Sequence, residues 1–121
     1  MNDFNIPFQI KKLSKSKFRS KFHLSDSDCR YIQKHGLDEI RLHATQFIIA
    51  RLSPAFPKND GRQTPFKNHP VFVAQHATAT CCRKCMNKWY NVPKGVILNQ
   101  FQMDFAVELI IYWINLQLND S

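Results

Sequence analysis

Asn99 to Leu118 reads N-Q-F-Q-M-D-F-A-V-E-L-I-I-Y-W-I-N-L-Q-L, and the fold turns on it. Asn99-x-x-Gln102 is a capping-box pattern, in which the Asn side chain takes a first-turn amide and the Gln side chain returns to the cap amide. From Gln100 to Leu118, Phe101, Phe105, Leu109, Tyr112, Trp113 and Leu116 make one broad apolar face at helical spacing. Met103, Val107, Ile110, Ile111 and Ile114 cover much of the remainder. A helix so apolar must be covered by neighbours, so the pattern predicts the centre of an all-α domain or part of a dimer seam. Its longest apolar run, Leu109 to Ile114, falls far short of the ~20 residues that cross a bilayer.

The rest of the chain supplies the cover. Ser25-x-x-Asp28 is a second capping pattern and predicts a helix from about Asp26 to His35, with Gly36 as a left-handed stop and Leu37 as its hydrophobic contact. A helix from about Asp38 to Leu52 follows, with Ile40, Phe47 and Ile48 facing the core and His43 at the edge of that stripe. Pro54 and Pro57 end it. Residues 53–68 hold three prolines and the turn Asn59-Asp60-Gly61, and read as a loop. Pro70 suits the first turn of a short helix to Ala77, a reading favoured over the short strand that Val71, Phe72 and Val73 would equally suit. Thr80 is the expected N-cap of another helix that runs to about Tyr90, and the long helix completes the set. The expectation is a compact single domain of about five helices: a basic N-terminal arm over residues 1–17, with Lys11 to Lys21 read as an arm or a short basic helix, then one helical domain over 18–121. A chain of 121 residues that is 44% hydrophobic, with three glycines, has enough material for one core and does not read as disordered.

Charge is uneven. Residues 1–23 carry a net +5, residues 24–95 a net +6, and residues 96–121 a net −3. A basic front and an acidic last helix predict a dipolar surface that attracts a nucleic acid or another polyanion, with Lys15, Lys17, Arg19, Lys21, Arg83 and Lys84 as contacts. Phe18 and Phe22, set among those cations, either stack on bases or tuck into the core, and the second reading is favoured. Met1 to Ile10 lack the charged-then-apolar order of a secretory signal, so a cytoplasmic address with reduced thiols is expected.

The chemistry gathers in His69 to Cys85, H-P-V-F-V-A-Q-H-A-T-A-T-C-C-R-K-C, which holds three of the four cysteines. Thiolates from the C-x-x-C pair Cys82 and Cys85, with Cys81, and imidazoles from His69 and His76 make an S/N set that suits zinc. On a helix starting near Thr80, Cys81 and Cys82 point about 100° apart, so the three thiols cannot share one face equally. A metal using His76 together with Cys85 further requires a chain break at Ala77 to Thr80. A zinc deaminase is excluded, because His76-Ala77-Thr78 lacks the proton-shuttling Glu of that signature. The rival chemistry is an enzyme in which Cys82 attacks, with His76 as base or Cys85 as resolving thiol. A third reading is a protein-interaction or regulatory module, a homodimer included, that uses the apolar last helix. The plain alternative is that Cys81 and Cys85 are buried small hydrophobes. Asn59, Asp60, Gln63 and Thr64, in the loop leading to the stretch, are second-rank candidates for site walls.

F-R-S-K-F-H-L at Phe18 to Leu24, N-D-G-R-Q-T-P at Asn59 to Pro65, the stretch His69 to Cys85, and K-W-Y-N-V-P-K-G at Lys88 to Gly95 resemble a family of small bacterial proteins catalogued as domain of unknown function 4186. The resemblance covers about residues 10 to 118 and implies no established activity or cofactor. In its pattern a histidine follows the Trp, where this chain has Tyr90, which turns the search for an imidazole partner to His69, His76 or His23.

Overall fold

The computed structural model describes residues 4–119, with seven α-helices and no strand among the described residues. Five match the helices read from the sequence: α3 (Asp26–His35), α4 (Leu37–Phe47), α5 (Pro70–Ala77), α6 (Arg83–Tyr90) and α7 (Gln100–Asn119). The other two, α1 (Ile6–Ser14) and the single turn α2 (Lys17–Ser20), lie in the basic N-terminal stretch. Asn5 caps α1 by accepting from the Phe8 amide, and Leu13 and Gln9 are buried as α1 packs on α7. Residues 1–3 of the expected arm lie outside the described residues.

Both capping boxes form. Ser25 Oγ accepts from the Asp28 amide and Asp28 Oδ2 from the Ser25 amide, while Asn99 and Gln102 make the same exchange at the start of α7. Gly36 differs from the expected left-handed stop. Its φ of 82° is positive, but its ψ of 153° is extended. The reason is that α4 restarts at the next residue, so one glycine must turn the chain from one helix axis to the other. α4 then widens into a π-type turn, Ile48–Leu52, closed by Ser53 N donating to Ile48 O at 2.8 Å. Ile40, Ala44, Ile48 and Leu52 bury one stripe of this segment.

The helix enclosed on all sides is α5, where the sequence pointed to α7. Every residue from Pro70 to Arg83 is buried, whereas α7 buries one face against α1, α4 and α5 and leaves Phe101, Tyr112 and Leu116 exposed. α5 has no Asp, Glu, Lys or Arg to hold in water, and its polar groups are satisfied internally. Gln75 Nε2 donates to Thr80 O at 2.9 Å, and Thr78 Oγ1 to Ala74 O at 2.7 Å. At ~1.5–3 kcal/mol for each large apolar side chain buried, Val71, Phe72 and Val73 supply much of what holds the centre together. That burial also fixes the chain leading into the cysteines.

Candidate metal centre

The segment between α5 and α6 sets the geometry of the thiols. The helix breaks at Ala77 to Thr80 as the threonines suggest: Ala79 takes a positive φ of 58°, and the hydroxyls of Thr78 and Thr80 lie 2.9 Å apart. Thr80 is not the N-cap of the next helix, since its hydroxyl is spent on Thr78 and its amide on Gln75 O. Cys82 takes that place in extended conformation, and its Sγ accepts from the Cys85 amide at 3.4 Å. Cys81 therefore precedes α6 instead of lying on it. The 100° separation expected of two adjacent helical cysteines does not apply, and all three sulfurs converge.

Cys81, Cys82 and Cys85 place their Sγ atoms within 4.8 Å of one another, a cluster that can hold a metal ion. Cys82 Sγ donates to Cys85 Sγ at 3.2 Å. The buried guanidinium of Arg19 closes the other side: Nη2 donates to Cys85 Sγ at 3.1 Å, and Nη1 to Cys81 Sγ at 3.6 Å and His76 O at 2.8 Å. Hydrogen bonds from Cys81 and Cys82, reinforced by Arg19, hold Cys85 far below the ordinary thiol range. Cys81 is pushed up by its bonds to Cys82 and Cys85 and by burial. Cys82 also sits high: its bond with Cys81 works to lower it, but the bond to Cys85 and burial outweigh that. The three thiols titrate as one coupled set, within which the hydrogen bonds and the Arg19 cation favour negative charge at Cys85.

The preceding loop fastens this arrangement. Thr64 Oγ1 donates to Cys81 O at 2.8 Å, and Asp60 Oδ1 accepts from the Arg83 amide at 3.1 Å and from Gln63 Nε2 at 2.9 Å. Thr64 and Asp60, second-rank candidates from the sequence, are therefore direct supports of the cysteine segment, and Gln63 orients Asp60. Asn59 shapes the turn through its positive φ of 59°.

Neither predicted imidazole falls in the cluster. His76 Nε2 donates to Thr64 O at 3.0 Å, a bond that requires the proton on Nε2 and so denies that nitrogen to a metal or to the Cys82 thiol. His69 lies at the other end of α5 as its N-cap, with Nδ1 accepting from the Val71 amide at 3.0 Å. Its Nε2 therefore carries the proton and donates to His43 Nδ1 at 3.1 Å. His23 is exposed on the wall of a separate cavity.

The predicted polyanion contacts divide. Lys15, Lys17, Lys21 and Lys84 are exposed, but Arg19 and Arg83 are buried and spoken for. Arg83, 1% exposed, donates from Nη1 to the carbonyls of Leu52, Ser53 and Pro54 and from Nη2 to those of Pro93 and Val96. It ties the end of the π-type turn to the loop before α7; its Nε is buried without a hydrogen-bond partner, so no edge of the guanidinium faces solvent. Nothing in the local sequence separates such an arginine from a surface one.

A family model described as Domain of unknown function (DUF4186) matches residues 8–115. The chain belongs to that family. No solved structure matches this DUF4186 protein. The matched span contains Arg19, the loop supports and all three clustered cysteines, so the whole candidate centre lies within the DUF4186 domain. Among the described residues no helix is long and apolar enough to cross a membrane.

Proposed function

We propose that this DUF4186 protein is a metal-binding protein in which the thiolates of Cys81, Cys82 and Cys85 hold a zinc ion, with a basic face that meets nucleic acid or another polyanion. The convergence of the three sulfurs carries the first part. Thiolates ~2.3 Å from a tetrahedral zinc stand ~3.8 Å from one another. Here all three lie within 4.8 Å and one pair at 3.2 Å, so sub-ångström side-chain movements suffice. Charge supports the same reading, because three thiolates and a dication carry one net negative charge, which the Arg19 cation offsets. Three protein ligands leave a fourth position for water or a substrate. The exposed Lys15, Lys17 and Lys21 supply the basic face, joined by Lys11 and Lys12.

A second reading rests on the same 3.2 Å approach of Cys82 Sγ to Cys85 Sγ: a thiol pair that works without metal. In that reading Cys85 is the ionised partner, and His76 Nε2 is not the base.

Elemental analysis of untagged protein purified without chelator separates the two. About one zinc per chain, lost in Cys82→Ser and in Cys85→Ser, is the expected result. A folded, metal-free protein in which one thiol reacts quickly with iodoacetamide overturns the metal reading.

A further inference from the structure

A cavity of about 600 Å³ opens between the α2–α3 connection, the start of α3 and the loop before α5. Lys21, Phe22, His23, Tyr31, Phe66 and Lys67 line it. Its volume is that of a small-ligand site. The unusual feature is Phe66, 60% exposed on a loop, whose ring lies parallel to the buried His76 imidazole, with centroids 4.0 Å apart and 8° between planes. Phe22 lies parallel to both, with its ring centroid 6.2 Å from that of Phe66 and 5.6 Å from that of His76. His76 is itself fixed by Thr64 O, so an exposed aromatic ring here is backed by a rigid one and held in a defined plane.

Cations stand next to these rings. Lys21 Nζ is 5.6 Å from the Phe22 centroid and 4.5 Å from that of Phe18, and Lys67 follows Phe66 directly. Asp28 is the acidic group on the wall, and its Oδ2 is engaged by the Ser25 amide in the capping box. Asn68, also on the wall, turns the chain with a positive φ of 85°, which Asn adopts readily. Flat, fixed aromatic faces interleaved with lysines are what binds single-stranded nucleic acid, because every base offers a π-face and every link a phosphate.

We propose that this cavity binds a nucleotide of a single-stranded nucleic acid, its base stacked on Phe66 and Phe22 and its phosphates at Lys21 and Lys67. The proposal rests on the polyanion reading above and deepens it by naming the site and the class of ligand. It also revises the expectation that Phe22 only tucks into the core: its half-buried ring joins the core and the cavity at once.

The test is fluorescence anisotropy with a short labelled oligothymidylate at low salt, with unlabelled inorganic polyphosphate and thymidine monophosphate as competitors. Micromolar binding that weakens steeply with salt is expected, and Phe66→Ala weakens it about ten-fold to a hundred-fold. Phe56→Ala, which removes a ring that is 84% exposed but does not line the cavity, leaves affinity unchanged. Thermal melting of Phe66→Ala confirms that the variant is folded. If polyphosphate competes as well as the oligonucleotide and Phe66→Ala has no effect, base stacking is overturned while the polyanion reading stands. If the monophosphate competes as tightly as the oligonucleotide, a free nucleotide replaces the single strand as ligand and the strand assignment falls. If neither polyanion binds, both readings fall.

Discussion

Arg19 donates to Cys85 Sγ at 3.1 Å across a separation of 66 residues, joining the short basic turn α2 to the C-x-x-C motif. The same guanidinium holds the last turn of α5 through His76 O. A residue whose surroundings in sequence are lysines and serines is thereby the charge partner of a thiol cluster. Arg19→Gln keeps some donor capacity but removes the cation, so metal affinity is expected to fall about ten-fold to a hundred-fold, as for outer-shell partners generally. Competition with a chromophoric chelator measures it, and an unchanged affinity sinks the role assigned to Arg19.

Arg83 makes a different prediction. Its five carbonyl partners lose a charged donor in Arg83→Met, at a cost of about 3 kcal/mol in a urea titration. Lys84→Ala, next in sequence and exposed, should change stability by less than about 0.5 kcal/mol. Equal effects from the two would show that Arg83 is not the fastening.

Gly36 tests the junction of α3 and α4. At φ 82° and ψ 153° it occupies a region all but closed to side-chain-bearing residues, yet an added Cβ would meet nothing within 4 Å. The penalty of Gly36→Ala is therefore backbone strain alone, about 1–3 kcal/mol. A thermal melt unshifted from wild type would mean that the helices can rejoin by another route.

His69 links stability to pH. Burial, followed by the nearby His43, pulls its pKa down from 6.5 to about 4, with Asp28 acting in the opposite sense and His35 adding slightly. The folded state thus binds fewer protons than the unfolded one between those values. Its contribution is full above pH ~6.5 and is lost as pH falls toward ~4. Protonation also places a hydrogen on Nδ1, where the Val71 amide already points, and so removes the cap of α5. His69→Asn keeps a capping acceptor without the titration. Stability measured from pH 7 to pH 5 should fall less in this variant than in wild type, and identical slopes would clear His69 of the effect.

Local signals were legible without tertiary structure. Capping boxes at Ser25 and Asn99, Pro70 at a helix start and the chain break at Ala77 to Thr80 depend on backbone amides a few residues away, so spacing alone reveals them. Helical periodicity gave the all-α class and the core stripe of Ile40 and Ile48 for the same reason. Reactive residue types marked His69 to Cys85 as the place to look.

Only the tertiary structure decided which of those residues meet. Apolar count pointed to α7 as the central helix, but enclosure went to α5, because a short helix without charges can be covered on every side while a long one must leave part of its surface in water. Moving the N-cap from Thr80 to Cys82 shifted Cys81 off the helix and let three sulfurs converge, a change of two residues that periodicity does not resolve. Arg19, Arg83 and His69 were assigned by chemistry to a surface or a metal, and long-range packing gave each a backbone or sulfur partner instead. Charge and ligand type are properties of a residue. Burial and partners are properties of the fold, and at this centre they decide the chemistry.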